Sequence, residues 1–342
     1  MSAAPDDNGL TLDTVDPSFP RRIHLVGVAG TGMGSFAGML KAAGYEVTGS
    51  DENVYPPMSH MLDAWGIRAL TPYSPQNLDV AKPDLVIIGN VIRRVNPEAT
   101  AVRERRIPQM SFPAALGSLF LAKRHSVVVA GTHGKTTTSS LMGHVLASAG
   151  KDPTFLVGGV TNNYSGNYRL GKGPHFVVEG DEYDTAYFDK GPKFLHYQPR
   201  TLILTSVEFD HADIYRDLAH YESAFEKLVA IVPADGTIVV SAGWPNAVRL
   251  ARTSKARVIT YSSKEDSGAD VVPSHLRLGP EGARFGVTML GQPAGDLLLP
   301  MAGAHNVENA LGVFAAAQSL GLTDDELARG FASFTGIKRR QE

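Results

Sequence analysis

Residues 127–138 read "VVVAGTHGKTTT", and this stretch decides the fold of the second half of the chain. A predicted apolar strand up to Ala130 runs into Gly131, and a helix-forming segment follows Lys135. In such a strand–loop–helix unit, backbone N–H groups and the helix N-terminus bind a phosphate, and the lysine neutralises the β- and γ-phosphate oxygens. The hydroxyl of Thr136 is placed to bind Mg²⁺. A glycine turn with a solvated lysine is the alternative, but the context favours a nucleoside triphosphate site.

The loop is two residues shorter than the usual phosphate-binding loop, which has four residues between its first glycine and its Gly-Lys pair. Only Thr132 and His133 separate Gly131 from Gly134. This compact spacing is the most distinctive feature of the sequence.

The composition is that of an ordinary globular protein. The chain has 342 residues, a formal net charge of −3 and 43% hydrophobic residues, and its length suggests two domains. The charge gives no reason to expect nucleic acid or an anionic membrane as a partner, and no apolar run approaches the roughly 20 residues that span a bilayer. Residues 1–20 lack the features of a secretory signal, so we expect a disordered tail there. The absence of cysteine excludes disulfides and thiol chemistry, and we expect a cytoplasmic protein.

The first half alternates predicted strands and helices, which indicates a parallel sheet covered on both faces. We predict strands over residues 23–28, 45–49, 83–90 and 107–111. A helix follows the first strand to about Ala43, and Asn96-Pro97-Glu98 opens another, with Asn96 as its cap.

The second half contains further strands and helices of the same kind. Besides the strand before Gly131, we predict strands over residues 175–179, 201–205, 237–240, 257–261, 270–278 and 284–289. An amphipathic helix is predicted over 217–232, with one apolar face formed by Leu218, Tyr221, Phe225, Leu228 and Val232. A helix from about Asn306 has Asn306 as its expected cap, and Thr323 with Glu326 predicts a capping box for the last helix.

Glycines 27, 30, 32 and 34 lie between the first strand and the first helix. The dinucleotide fingerprint G-x-G-x-x-G fails because Ser35 occupies the position of its third glycine, although Asp51 follows the second strand at a suitable distance. A nicotinamide dinucleotide is therefore a weak interpretation. A diphosphate at the helix N-terminus remains compatible with the pattern, and glycines that serve only strand–helix packing are the alternative.

Two residues that can bind a metal follow predicted strands near the loop. Glu179 ends the strand "HFVVE", and His211 comes several residues after the strand that starts at Thr201. Ligands collect at the carboxyl ends of strands in such sheets, and a carboxylate there can bind Mg²⁺. The acidic run formed by Asp181, Glu182 and Asp184 is interpreted as a solvated loop, with Asp181 as a supporting residue at most.

The motifs together resemble the Mur ligase family, ATP-dependent amide-forming enzymes of peptidoglycan synthesis and recycling. The resemblance rests on the compact loop and on segments in the family's order: "GVAGTGMG" and "GSDENVYPPM" near the start, then residues 175–190, 200–215, 303–312 and 334–342. It covers nearly everything from Arg21 to the end.

The resemblance implies an α/β fold in two parts. A Rossmann-like parallel-sheet domain that binds UDP-N-acetylmuramate is expected over residues 21–122, and a central P-loop ATPase-type α/β domain over 123–342. The family's third domain, which holds the peptide, is expected to be absent, so that this chain is truncated and inactive in ligation.

The implied reaction transfers the γ-phosphate of ATP to the muramyl carboxylate, and the amine of the acceptor then attacks the acyl phosphate. Within the family the segments most resemble enzymes whose acceptor is the tripeptide L-alanyl-γ-D-glutamyl-meso-diaminopimelate, with L-alanine alone as the alternative. From other classes, an NAD-dependent oxidoreductase and a non-catalytic nucleotide-binding module remain open.

The resemblance also assigns roles to individual residues. The catalytic residues are Lys135, Glu179 and His211, and the Mg²⁺ ligands are Thr136, Glu179 and His211. The ATP-binding residues are Gly131, Thr132, His133, Gly134, Lys135, Thr136, Thr137, His305, Asn306, Asn309, Arg339 and Arg340. The residues expected to bind the UDP-sugar are Gly27, Gly30, Thr31, Gly32, Met33, Gly34, Ser50, Asp51, Asn90 and Asn96. Arg94, Gly158, Gly159 and residues 161–168 are expected to border the same substrate.

Overall fold

The computed structural model describes residues 20–210 and 214–338. The expected tail up to residue 19, His211, Arg339 and Arg340 lie outside the described residues. No helix in the described part of the chain is both long and apolar enough to cross a membrane.

The first half forms a parallel sheet with helices on its faces. Its strands are β1 (Arg22–Val26), β2 (Glu46–Ser50), β3 (Arg68–Leu70), β4 (Leu85–Ile88) and β5 (Gln109–Ser111). Its helices are α1 (Thr31–Ala42), α2 (Met58–Ala64), α3 (Pro75–Ala81), α4 (Pro97–Glu104) and α5 (Phe112–Leu116). The strand order is β3-β2-β1-β4-β5, so the chain reverses its direction of progress between β1 and β4, where ligands bind in folds of this kind.

The second half is built on a larger mixed sheet. The strands of this sheet are β6 (His125–Ala130), β7 (Thr154–Leu156), β8 (Tyr168–Arg169), β9 (His175–Gly180), β12 (Thr201–Leu204), β13 (Thr237–Ser241), β14 (Arg257–Tyr261), β15 (Val271–Gly279), β16 (Gly282–Met289) and β17 (Gln292–Leu299), while β10 (Asp184–Ala186) and β11 (Asp189–Pro192) form a separate two-stranded sheet. The helices of this half are α6 (Lys135–Ser148), α7 (Leu218–Ala230), α8 (Pro245–Ala251), α9 (Ala304–Ser319) and α10 (Asp324–Ala332).

The sheet order in this half is β17-β16-β15-β14-β13-β12-β6-β9-β7-β8. From β15 to β7 neighbouring strands are parallel, and antiparallel pairing begins where β16 and β8 join. The predicted α/β fold class is confirmed, and so are the strands expected in each half. Because β6 lies between β12 and β9, the loop after β6 is flanked by the ends of both neighbours.

Two helix predictions are confirmed and two need correction. Asn96 caps α4 through its Oδ1, and Thr323 and Glu326 form the capping box of α10. Leu218, however, is 44% exposed and does not share the buried face of α7. Asn306 is not a cap either, because α9 begins two residues earlier, after Gly303, and the Asn306 side chain instead donates to the carbonyl of Ala302.

The two halves share one continuous core and a bridging hairpin. Phe36 of α1 packs edge-on against Phe112 and Phe120, with ring centroids 5.1 and 5.9 Å apart, in a cluster that continues into the larger sheet. The bridging hairpin (residues 184–192, β10 and β11) reaches the first half: the hydroxyl of Tyr187 accepts from Arg103 at 2.6 Å, and Asp189 accepts from the hydroxyl of Ser111 at 2.7 Å. These contacts fix the loops of the two sheets relative to each other.

A buried polar network centred on Glu98 joins several elements of the first sheet. The Glu98 carboxylate is 2.6 Å from Nε2 of His24 and accepts from the hydroxyl of Ser50, the side chain of Asn77 and the backbone of Ser74. Burial opposes its charge, but these hydrogen bonds and the charge of His24 outweigh burial and lower the pKa of Glu98. The network therefore depends on an ionised carboxylate in the interior.

Replacing Glu98 by alanine is expected to lower the free energy of unfolding by about 3–5 kcal/mol, because one partner of a buried pair is left without compensation. Urea unfolding followed by circular dichroism measures this change. Glu104→Ala, at an exposed position of the same helix, is the matched control and should change little. Equal effects of the two substitutions would contradict the stabilising role of the network.

Candidate functional site

Strand β6 leads into a tight loop that ends at the first residue of α6, as the sequence predicts. The glycine loop (residues 131–134) has positive φ at Gly131 (133°) and Gly134 (79°), which side-chain-bearing residues rarely adopt. A Cβ on Gly131 would lie 2.3 Å from the hydroxyl of Thr205, and one on Gly134 would lie 2.7 Å from the side-chain oxygen of Asn309. The loop thus has no room for side chains at either glycine, and Asn309 lies directly against it.

The two residues between these glycines are held by the segment that follows β12. The amide of Thr132 donates to the carbonyl of Ser206, and the amide of His133 donates to its hydroxyl. The hydroxyl of Thr205 donates to the carbonyl of His133 at 2.6 Å. These two amides therefore face the protein, and the N–H groups of the first turn of α6, which have neither intrahelical acceptors nor a side-chain cap, are left to bind an anion. With this compact spacing, a phosphate bound by the loop would lie at the helix end itself.

Lys135 is engaged at the mouth of this site. Its ammonium group donates to the carbonyl of Gly131 at 2.6 Å and lies 3.0 and 3.1 Å from the two carboxylate oxygens of Glu182. Glu182 is almost fully buried, with 1% of its side chain exposed. The interpretation of the acidic run as a solvated loop is wrong at Glu182, because the carboxylate of this residue is buried and pairs with Lys135.

Glu179 lies beside the first turn of α6, at the end of β9. Its carboxylate accepts from the hydroxyl of Thr136 at 3.0 Å and from the backbone of Gly158 at 2.8 Å. Burial raises the pKa of Glu179, although both hydrogen bonds and the charge of Lys135 oppose the shift. A bound cation would stabilise the ionised form of this carboxylate, which burial disfavours. A hydroxyl together with a carboxylate is a ligand set that suits Mg²⁺.

The described residues contain no cluster of three or more histidine, cysteine, aspartate or glutamate side chains that could hold a metal. Thr136 and Glu179 would therefore supply only part of a ligand set, and a Mg²⁺ ion there would complete its shell with phosphate and water oxygens. The predicted second-metal ligand, His211, lies outside the described residues, as do Arg339 and Arg340.

The start of α9 completes the surroundings of the glycine loop. Asn309 is buried against Gly134, and Asn306 is buried one turn earlier. His305 is exposed at the first turn of the helix. The structure thus brings Asn309 to the loop, while the side chain of Asn306 is already hydrogen-bonded to backbone.

In the first sheet, the glycine turn (residues 27–30) joins β1 to α1. Gly27 has φ of 92°, and its amide donates to the carbonyl of Ser50 at 2.8 Å. The carboxylate of Asp51 accepts from the amide of Ala29 at 2.8 Å and from the hydroxyl of Tyr73 at 3.0 Å. Ser50 and Asp51 therefore shape the turn, and the Ser50 hydroxyl is used by the buried network around Glu98.

The predicted sugar-nucleotide residues differ in what they can offer a ligand. Gly32 has open space where a Cβ would lie, whereas a Cβ on Gly34 would collide with Met58. The Met33 side chain is buried in the core, so that only its backbone faces the turn. The residues placed at the open end of this sheet are Gly30 and Thr31 at the start of α1, exposed Asn90 after β4, and Asn96, whose side-chain oxygen is occupied by capping.

A cavity of about 250 Å³ joins the two halves of the site. Thr31 and Gly32 of α1 form one wall, and Gly158, Glu179 and Lys193 lie on the other. Asn167 also lines the cavity and connects its two walls, because its side-chain oxygen accepts from the hydroxyl of Ser35 on α1 at 2.7 Å. The N-terminus of α1 and the carboxylate beside the glycine loop therefore open into one space.

A nucleotide-binding α/β protein, in which the N-terminus of α1 and the carboxylate of Glu179 beside the glycine loop line one cavity, is the class that this geometry defines. A model of the Mur ligase family catalytic domain matches residues 22–124, and a model of the Mur ligase middle domain matches residues 129–317. The chain belongs to the Mur ligase family, whose members are ATP-dependent ligases.

Individual relatives show which members of the family the chain is similar to. The chain is 42% identical over 322 residues to the UDP-N-acetylmuramate–L-alanyl-gamma-D-glutamyl-meso-2,6-diaminoheptandioate ligase of Escherichia coli (strain K12), covering 94% of this chain and 69% of the relative. It is 35% identical to the UDP-N-acetylmuramate–L-alanine ligase of Phenylobacterium zucineum (strain HLK1), covering 93% of this chain and 65% of the relative. The crystal structure of the UDP-N-acetylmuramate:L-alanyl-gamma-D-glutamyl-meso-diaminopimelate ligase from Neisseria meningitides matches with a TM-score of 0.85 at 37% identity, covering 93% of this chain and 99% of that chain.

Proposed function

We propose that the protein is an ATP-dependent ligase that joins UDP-N-acetylmuramate to the tripeptide L-alanyl-γ-D-glutamyl-meso-diaminopimelate. The observation that carries this proposal is the shared cavity, which brings the N-terminus of α1 and the carboxylate of Glu179 into one space. A sugar nucleotide with its diphosphate on the glycine turn can extend its muramyl carboxylate toward the glycine loop. Residues 21–122 would then hold the sugar nucleotide and residues 123–342 the ATP.

The chemistry requires two anions, a carboxylate and a triphosphate, to approach each other. The first turn of α6 presents N–H groups to the phosphates, and Lys135 supplies a fixed positive charge beside them. The γ-phosphate is transferred to the muramyl carboxylate, and the acceptor amine displaces phosphate from the resulting acyl phosphate. No side chain of the protein needs to form a covalent bond in this sequence.

Mg²⁺ fits the oxygen ligands that Thr136 and Glu179 offer beside the loop. When bound, it would neutralise phosphate charge and orient the γ-phosphate. We propose His211 as a ligand of a second ion on the resemblance to the family.

The acceptor is inferred from the relatives. The relative named as a ligase of the tripeptide shares 42% identity with this chain, and the relative named as an L-alanine ligase shares 35%. We therefore favour the tripeptide, and L-alanine is the second candidate.

A competition assay tests the proposal. A protein that carries all three domains of the family is supplied with UDP-N-acetylmuramate, ATP, Mg²⁺, the tripeptide and L-alanine together, because residues 1–342 alone are expected to be inactive in ligation. The products are identified by mass spectrometry. We expect UDP-muramyl-tripeptide as the main product. UDP-muramyl-alanine would support the second candidate. Calorimetric titration with UDP-N-acetylmuramate, ATP and NADH separates a binding module, which binds but yields no product, from an oxidoreductase, which binds NADH.

Gly32→Ala is expected to separate stability from substrate binding. A Cβ at this position meets no protein atom within 4 Å, and alanine in place of a helical glycine raises helix stability by up to about 1 kcal/mol. The added methyl group would nevertheless stand between the helix N-terminus and a diphosphate. We expect a slightly higher melting temperature and about tenfold weaker binding of UDP-N-acetylmuramate, with ATP binding unchanged as the internal control. Unchanged sugar-nucleotide affinity would remove this helix end from the site.

A further inference from the structure

The strongest unassigned feature is the buried carboxylate of Glu182. It contacts the ammonium group of Lys135 with both oxygens, at 3.0 and 3.1 Å, and its Oε1 accepts from the hydroxyl of Tyr221 at 3.2 Å. The hydroxyl of Tyr215 donates to the backbone carbonyl of the same residue at 2.6 Å. The carboxylate is therefore held in place by more than its contact with Lys135.

The position of Lys135 shows what binding of a nucleotide has to change. The ammonium group has three N–H donors, and it contacts the carbonyl of Gly131, the carbonyl of Thr132 at 3.4 Å and the carboxylate of Glu182. The lysine of a phosphate-binding loop contacts the β- and γ-phosphates. To reach a phosphate oxygen, Lys135 must release at least one of these protein acceptors.

We propose that Glu182 competes with the phosphates of ATP for Lys135, so that nucleotide binds only by drawing the ammonium group away from this carboxylate. The inference rests on the proposed function, because it assumes that the glycine loop binds ATP. Glu182 would act as a positioning residue. Its carboxylate holds the ammonium group of Lys135 over the loop while the site is empty and pairs with it again when the nucleotide leaves. Tyr221 would remain as a hydrogen-bond donor to the carboxylate while the lysine is on the phosphate.

When ATP binds, Glu182 either loses its contact with the ammonium group of Lys135 in a nearly inaccessible position or remains beside a polyanion, and both outcomes disfavour the complex. Glutamine at this position keeps the shape and a carbonyl oxygen for Tyr221 and Lys135, but it removes the negative charge. The neutral variant should therefore bind nucleotides more tightly, which is the opposite of what loss of an ordinary binding residue produces.

The test is a calorimetric titration of the 342-residue chain with ATP, ADP and AMP in the presence of Mg²⁺. For Glu182→Gln we expect ATP and ADP to bind about tenfold more tightly, with AMP unchanged because AMP lacks the phosphates that the lysine contacts. A general effect on folding would change all three nucleotides alike. Unchanged or weaker binding of ATP and ADP would overturn the proposal.

Glu208→Gln is the matched control. Glu208 also forms a pair with the glycine loop, through His133 at 3.1 Å, but both of these side chains are more than half exposed. Solvent screens such a pair, so its removal should leave the affinity for all three nucleotides unchanged. An equal gain in both variants would show that only the net charge near the loop matters, which overturns the specific role of Glu182.

Tyr221→Phe gives a second measurement if Glu182→Gln does not fold. Its control is Thr132→Val, because the Tyr221 hydroxyl also lies 3.0 Å from the hydroxyl of Thr132; this variant removes that contact, keeps the one to Glu182 and should weaken ATP and ADP binding less than Tyr221→Phe does. Without the tyrosine hydroxyl, Glu182 depends more strongly on Lys135, so ATP and ADP should bind several-fold more weakly while AMP does not change. Unchanged ATP and ADP affinity would contradict the proposal. If the wild-type chain binds neither ATP nor ADP, the proposed function itself fails; if it binds them and the variants do not shift as stated, only the inference about Glu182 fails.

Discussion

Replacing Lys135 by alanine is expected to slow ATP-dependent formation of the acyl phosphate about a thousandfold, the scale found when a preorganised charge stabiliser is removed. The phosphates would lose the one loop cation placed beside them, and water cannot substitute for a fixed charge in a partly enclosed site. The measurement is the rate of ADP release by an enzyme with all three domains of the family, in the presence of UDP-N-acetylmuramate. A turnover within tenfold of wild type would contradict the assignment of the loop.

A second effect of the same substitution has to be separated from catalysis. Lys135→Ala removes the ammonium group that pairs with buried Glu182, and breaking a buried pair in this way costs about 3–5 kcal/mol. The double variant Lys135→Ala, Glu182→Gln removes both charges and should regain most of the stability while remaining inactive. Lys151→Ala is a control for loss of a lysine, because Lys151 forms a more exposed pair with Glu326 and should affect neither rate nor stability.

Replacing Glu179 by glutamine is expected to raise the Mg²⁺ concentration needed for half-maximal activity by at least tenfold, since a charged oxygen ligand is lost. Because burial raises the pKa of Glu179, protons compete with the metal as the pH falls. The Mg²⁺ requirement of the wild type should therefore rise on acidification, and the variant should lose that pH dependence. Rates measured across a Mg²⁺ series at several pH values test both statements.

The uridine end of the sugar nucleotide should bind the Glu179→Gln variant nearly as well as the wild type, because the glycine turn lies on the other sheet. Glu208→Gln, which alters an exposed carboxylate near the same loop, should leave the Mg²⁺ requirement unchanged. A fall in sugar-nucleotide affinity as large as the rise in Mg²⁺ requirement would contradict the division of roles between the two sheets.

Strong local patterns made much of this architecture predictable. Buried strands such as "SVVVA" and "LVII" are short, apolar and bounded by glycine or polar residues, so their position follows from sequence. The neighbourhood of Thr136 and Glu179 was also predictable, because β6 and β9 are parallel neighbours and their carboxyl ends meet at one edge. Several of the missed elements are short or polar: β3 has three residues, none fully buried, and α3 has Leu78 as its only buried residue.

The partnership of Lys135 with Glu182 could not be predicted from local patterns. In sequence, Glu182 lies within the acidic run "EGDEYD", which has the composition of an exposed loop. Its burial depends on Tyr215 and Tyr221, which lie more than thirty residues away and cover it from the start of α7. Leu218 shows the converse error, since its hydrophobic side chain fits the helical period and is nevertheless exposed at the first turn.

The bridging hairpin has a consequence for the exchange of modules between related proteins. It belongs by sequence to the second half, yet Tyr187 and Asp189 are bonded to Arg103 and Ser111 of the first. A chimaera that joins the first half of one relative to the second half of another would pair each hairpin with a foreign surface, even if both cores were intact. Crossover designs in this family should therefore transfer residues 184–192 together with the α4–β5 region, as a single unit of recombination that is discontinuous along the chain.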